Sequence, residues 1–137
     1  MTYEAAHSAL RARFETQWAS ATDIAWPNVE FTPPDDDDWV RFVISDTGAF
    51  QASMGDPGNN IHRHTGVVTV MIFTRLGLGD EAGLEYADLA TAIFRGWEDA
   101  ATGLRFREPP FVRQVPGQAH KWYHINVLCP YERDSLL

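Results

Sequence analysis

One stretch constrains the fold more than any other. Val67-Val68-Thr69-Val70-Met71-Ile72-Phe73 is apolar at six of its seven positions. Successive side chains of a strand point to opposite sides, so this segment has an apolar residue on both faces. Such a strand belongs in the middle of a sheet, with cover above and below. The run is far shorter than the roughly 20 residues a membrane-spanning helix needs. A central strand is therefore predicted over His62 to Thr74, and the rest of the chain must supply its neighbours.

Those neighbours are legible on both sides. Trp39-Val40-Arg41-Phe42-Val43-Ile44-Ser45 alternates, with Val40, Phe42 and Ile44 on one face and Trp39, Arg41, Val43 and Ser45 on the other. Before it, Pro27, Pro33 and Pro34 forbid a helix. That segment reads as a short edge strand followed by a loop carrying Asp35, Asp36, Asp37 and Asp38. Asp46-Thr47-Gly48 is a turn signal, with a short strand expected from Ala49 to Met54. Gly55 to Asn60 is a loop. Three further strands are predicted, over Leu104–Arg107, Phe111–Val115 and Lys121–Tyr131. In the last, Trp122, His124, Asn126 and Leu128 alternate with Tyr123, Ile125, Val127 and Cys129.

Two helices complete the pattern. Tyr3, Ala6, Leu10, Phe14 and Trp18 are spaced by three and four, which predicts a helix over Tyr3 to Ala19 with Thr2 as N-cap. Asp80 to Trp97 carries a second stripe, Ala82, Tyr86, Leu89, Ala90, Ile93 and Trp97. Asp80 and Glu81 sit where the helix dipole favours negative charge. The predicted order is α-β-β-β-β-α-β-β-β. Short links between strands make hairpins, so the fold class is α+β: a mostly antiparallel sheet with two helices packed on it. At 137 residues the chain fits a single domain over residues 1–137 that folds without disulfide or metal.

Charge excludes some functions. The formal net charge is -8, and residues 1–60 hold ten acidic against three basic side chains, which accounts for seven of those charges. Sequence-independent nucleic-acid binding and docking to an anionic membrane both need a cationic face. Cys129 is the one cysteine, so no internal disulfide forms. It reads as a small buried residue in the last strand. The opening Met1-Thr2-Tyr3-Glu4 lacks the basic start and apolar core of a secretion signal, so none is expected.

No pattern specifies catalysis. His62 and His64 share a strand face, and His120 and His124 lie four apart. Four converging imidazoles could hold a transition metal, but no ligating carboxylate repeats beside them. Asp35 to Asp38 lack the alternation, glycine and distal Glu of a calcium loop and read as a solvated charge run. Gly77-Leu78-Gly79 lacks the third glycine or the Lys-Ser/Thr of a phosphate loop. No serine sits in a nucleophile elbow. What remains is interaction surface. Arg105 and Arg107 would share a strand face, with Arg113 near, while the second helix offers Asp80, Glu81, Glu85 and Asp88. Opposite-sign patches suit head-to-tail contact between copies; they also read as solvated faces.

The order of several short motifs resembles a phage-tail-terminator-like family, known from long-tailed phages, prophages and gene transfer agents. The motifs are Trp26-Pro27-Asn28-Val29-Glu30-Phe31-Thr32-Pro33-Pro34, an acidic loop and Trp39-Val40-Arg41. Then come Met54-Gly55, Arg63-His64-Thr65-Gly66 and Gly77-Leu78-Gly79-Asp80-Glu81-Ala82, with Leu89 and Phe94. Pro109-Pro110-Phe111-Val112, Trp122-Tyr123 and Cys129-Pro130-Tyr131 close the pattern. The Asp run is longer than the family's pattern. The resemblance implies a structural assembly protein with no reaction and no cofactor. Such a protein caps the tail tube as a homohexameric ring and meets the major tail-tube protein and a head-side stopper or connector. It is expected in the phage or phage-like particle, assembled in the host cytoplasm. DNA would pass through the ring unbound, and a lumen lined by some of Asp35 to Asp38 or by the helix carboxylates would repel it. Trp39, Arg41, Arg105, Arg107, Glu85 and Asp88 are the expected subunit or tube contacts. Another neck protein, a stopper or adaptor, is the near alternative; a small metal-dependent enzyme using His62, His64, His120 and His124 is the distant one.

Overall fold

The computed structural model describes residues 2–115 and 122–137. Helix α1 covers Tyr3–Trp18, and the Thr2 hydroxyl accepts from the Ala5 amide at 3.1 Å as its N-cap. Strands β1 (Asp23–Ala25), β2 (Trp39–Gln51) and β3 (Ile61–Arg75) follow. Helix α2 spans Glu81–Phe94, and β4 (Glu98–Asp99), β5 (Leu104–Arg105), β6 (Phe111–Gln114) and β7 (Trp122–Leu136) complete the chain. The fold is α+β, as its alternating and helical periodicities predict. No described helix is long and apolar enough to cross a membrane.

The seven strands among the described residues form one sheet in the order β1-β2-β3-β7-β5-β4, with β6 also on β7. Among the described strands only β1 and β2 pair in parallel; the other pairs are antiparallel. The apolar run of β3 lies between the two longest partners, as a strand with two dry faces must. Cross-strand rows fix the faces. Val40, Ile72 and Ile125 form one row, and Phe42, Val70 and Val127 the next. These rows face the helices.

Aromatic packing holds the helices down. Phe14 of α1 stacks on Trp18 at 5.1 Å, on Phe42 of β2 at 4.9 Å and on Phe94 of α2 at 6.3 Å. Ala6, Leu10, Phe14 and Trp18 are all buried. At Gly83 helix α2 comes so close to β7 that an added Cβ would lie 2.8 Å from Cδ1 of Ile125. Cys129 is fully buried in β7, and burial pushes its thiol up to about 12.

Four details depart from the sequence reading. Asp46-Thr47-Gly48 does not turn the chain. β2 runs on through a bulge between Asp46 and Gly48, because β3 offers a continuous partner and one extra residue can be absorbed without ending the ladder. Helix α2 stops at Phe94, and its buried side is Gly83, Ala87, Ala90, Thr91, Ile93 and Phe94. Ala82 and Leu89 therefore face outward, the stripe being rotated toward the small residues that let the helix approach the sheet. The short β4 was hidden in a polar stretch that only its pairing with β5 makes a strand. Finally β7 continues beyond Tyr131 to Leu136, so charged Glu132, Arg133 and Asp134 belong to the sheet.

Candidate functional site

Both described helices lie on one side of the sheet, and no helix among the described residues covers the other face. Three rows cross it. Trp39, Phe73 and His124 form the first; Arg41, Met71, Asn126 and Arg113 the second; Val43, Thr69, Leu128 and Phe111 the third. The first row is dry. Trp39 stacks on Phe73 at 4.2 Å, Phe73 stacks on His124 at 4.4 Å, and Trp122 meets Trp39 edge-on at 6.1 Å. Phe31 of the loop after β1 packs over Trp39 at 5.1 Å. The third row is half-buried to exposed, and Phe111 keeps 45% of its surface in water.

Polar atoms on this face are left over. Trp39 Nε1, His124 Nε2 and Asn126 Oδ1 are buried and have no hydrogen-bond partner among the described residues. A buried group without a partner costs free energy, so three together on one face mark an unfinished surface. Burial lowers the His124 pKa from 6.5, with Asn126 opposing the shift.

Farther along the same face sits an arginine–carboxylate cluster. Glu132 and Asp134 project from β7 between Arg63 of β3 and Arg105 of β5. Arg63 donates twice to Asp134, at 2.9 and 3.1 Å, in a forked pair. Arg105 bridges both acids, at 2.8 Å to Glu132 and 3.1 Å to Asp134. Arg107, just past β5, reaches Glu132 at 3.1 Å and stays largely exposed. The hydrogen bond from Arg63 holds the Asp134 carboxyl below its ordinary value, against burial and with help from Arg105. A cleft of about 350 Å³ opens beside the cluster, between the β2 bulge at Thr47, strand β3 at Thr65 and the Arg107–Glu108 segment.

The opposite face at the same level is closed. Gly66 is glycine because the Tyr131 ring lies across it, where a Cβ would overlap the ring. The Tyr131 hydroxyl donates to Asp46 at 2.9 Å, and Asp46 also meets His7 Nε2 at 3.0 Å. His64 Nε2 pairs with Ser135 Oγ at 3.2 Å, and the Tyr3 ring meets the His64 ring edge-on at 5.5 Å. Burial, then the charge of Arg133, lowers the His64 pKa from 6.5.

The residues singled out in the sequence are scattered. Trp39 is 5% exposed and packs as core, whereas Arg41 beside it is exposed, its guanidinium 5.6 Å from the Trp39 ring centroid. Arg105 and Arg107 do converge, on Glu132. Glu85 and Asp88 are exposed on α2, on the helix side. Asp38 is 7% exposed and accepts from the Arg75 amide at 3.1 Å, so it closes the β2–β3 end; Asp35, Asp36 and Asp37 remain on the surface.

The imidazoles do not converge. His62 and His64 lie on the helix side, while His124 lies on the bare face. His62 is level with Ser135, eleven positions beyond His124 along β7, or about 35 Å. His120 lies outside the described residues. Among those described, no group of three or more His, Cys, Asp or Glu is placed to hold a metal ion. The Arg63–Asp134 fork was missed in the sequence. Its only signal is a register, fixed once β7 is known to run past Tyr131.

None of the curated proteins compared with this chain matches it. A solved structure does match: it is 20% identical, the alignment covers 93% of this chain and 94% of that one, and the TM-score is 0.67. At that identity the likeness speaks for the fold. The family described as phage tail terminator protein matches residues 5–131, which takes in α1 from its third residue, all of α2 and the sheet up to Tyr131. The chain belongs to that family of structural phage-tail proteins.

Proposed function

We propose that this protein is a tail terminator that closes the tail tube as a homohexameric ring and presents its far side to the head-side connector. The observation that carries the reading is the family match across residues 5–131. Its partners are further copies of itself, the major tail-tube protein and the stopper or connector protein. It acts as a single domain, is assembled in the host cytoplasm, needs no cofactor and catalyses no reaction.

The helix-free face supports a contact role. A sheet face with half-buried Val43, Met71 and Leu128, exposed Phe111 and three orphaned polar atoms gains by being covered. Arg41 and Arg113 bracket its middle row, and arginine is a favoured interface anchor. Arg105 and Arg107 lie on the same side, and Glu85 and Asp88 on the helix side offer the opposite charge for a neighbouring copy. We assign Asp35, Asp36 and Asp37, which lie on the surface, to the lumen, where negative charge would let DNA slide past; a channel lined by arginine in a particle reconstruction would sink that assignment.

Electron microscopy of particles lacking the protein tests the function. Over-long or headless tails are the expected result. Tails of normal length on heads that leak DNA would instead assign the protein as a stopper.

A further inference from the structure

The sheet has two open edges, and they are unlike one another. On one side β1 pairs with β2 only at Trp39, Val40 and Arg41. Beyond that point no described strand lies along the outer edge of β2, and Ser45 to Gln51 are all exposed. Natural edge strands are protected by lysine, proline, bulges or short length. The segment Val43–Gln51 contains no lysine and no proline. Its one charge, Asp46, is held toward the helix side by Tyr131 and His7. The bulge leaves four residues on either side, Val43–Asp46 and Gly48–Gln51. On the other side of the sheet β6 is four residues long, is paired only to β7 among the described residues, and exposes Phe111, Arg113 and Gln114.

We infer that neighbouring copies join edge to edge, the open stretch of β2 in one pairing with β6 of the next. The inference rests on the ring reading above. Strand sense favours it. β2 and β7 run the same way and β6 runs against them. Rotation about an axis close to the strand direction keeps those senses, so β6 of the neighbour meets β2 antiparallel, like the long pairs within the sheet. Two different edges give a heterologous contact, which makes a ring when its rotation closes; β2 against β2 would stop at a dimer. Charge agrees as well. Residues 1–60, which build the β1–β2 side, hold ten acidic and three basic side chains. The stretch from 95 to 115 at the other edge holds four arginines against three acids. The register also demands a stagger. β6 is level with residues 40–43 of its own β2, part of which β1 occupies, so the neighbour's β6 must slide toward Gln51. Closing a sheet into a barrel requires a stagger of this kind.

Cross-linking tests it. Ser45 and Arg113 lie on the same face, separated within one chain by three strand spacings and four residues, roughly 20 Å. Tails carrying S45C/R113C, treated with a bis-maleimide shorter than that distance, should give a denaturing-gel ladder that ends at the closed ring. The buried Cys129 thiol, pushed up to about 12, stays silent. Each single variant should remain monomeric on the gel. Dimers from S45C alone, with the double variant stopping there, would replace the inference by a β2–β2 contact. A wild-type ring of the expected mass with no ladder overturns the edge contact and leaves the tail-terminator reading standing. Tails whose wild-type protein forms no ring overturn both.

Discussion

The two faces of the sheet are made from the same strands and built on opposite principles. Under the helices, Phe14, Phe42 and Phe94 stack and their exposure is zero. On the bare face the dry part is confined to the Trp39–Phe73–Trp122 end, and the remainder is half-buried aliphatic and arginine. A strand of alternating side chains can thus close one side and leave the other partly open to solvent. The middle of the central strand is apolar on both sides; the helices cover one of them, and no described helix covers the other.

The largest expected effect breaks that comparison most directly. Phe14→Ala removes a ring that touches both helices and β2, and should cost about 3–5 kcal/mol. Met71→Ala, on the bare face of the adjacent strand, should cost about 1 kcal/mol because its side chain is only partly out of water. Thermal melts of the two variants measure the difference. Equal losses would mean that the bare face is as much a core as the helix side.

The same contrast explains what was legible in the sequence. Phe14 and Trp18 were found by their spacing, and Val67 to Phe73 by its lack of polar positions, because periodic burial leaves a periodic trace. Thr47 was misread because turn chemistry is local, whereas the bulge is decided by β3 across the sheet. Glu132 and Asp134 lie beyond the strand predicted over Lys121–Tyr131, where the apolar alternation stops. Only the pairing of β7 with β3 and β5 sets them among arginines. Trp39 and Arg41 were named together as contacts; neighbours along a strand, they part company, one packed among rings and the other in water.

A smaller effect comes from the cluster. Asp134→Asn weakens the forked pair with Arg63 and the bond from Arg105, and should lower the melting temperature by less than Phe14→Ala does, since the site is partly exposed and solvent screens it. Its folded pKa lies below the ordinary 3.8. The carboxylate therefore stabilises the fold above that value and loses its contribution as pH falls through the folded pKa. Melting temperatures of wild type and variant should converge in acid. A gap that persists below both pKa values would show that the pair's charge is not what stabilises this end.

Milder acid reports on one histidine from each face. His64 and His124 both have folded pKa values below 6.5, chiefly through burial. The unfolded chain binds protons first as pH falls, so stability is full above about 6.5 and declines from there toward the folded values. A melt series from pH 7 to 5 should show the decline, and His64→Gln and His124→Gln should each remove part of it. If covering the bare face buries His124 further, assembly should steepen its share and leave that of His64 alone.

The smallest effect on stability should carry the largest on assembly. Arg41 is exposed and its guanidinium lies over Trp39, so Arg41→Ala should cost about 0.5 kcal/mol, the size of an exposed cation–π contact. Trp39 keeps its stack on Phe73 and its edge contact with Trp122, so the dry end of the face survives the change. What is lost is a charged donor at the end of the row that Arg113 closes on the other side. If the bare face is a contact surface, the variant melts almost as wild type yet forms fewer rings and tails of irregular length. Unchanged ring formation and unchanged tail length would remove Arg41 from the contact, and with it the argument that recognition lies on the side the helices leave open.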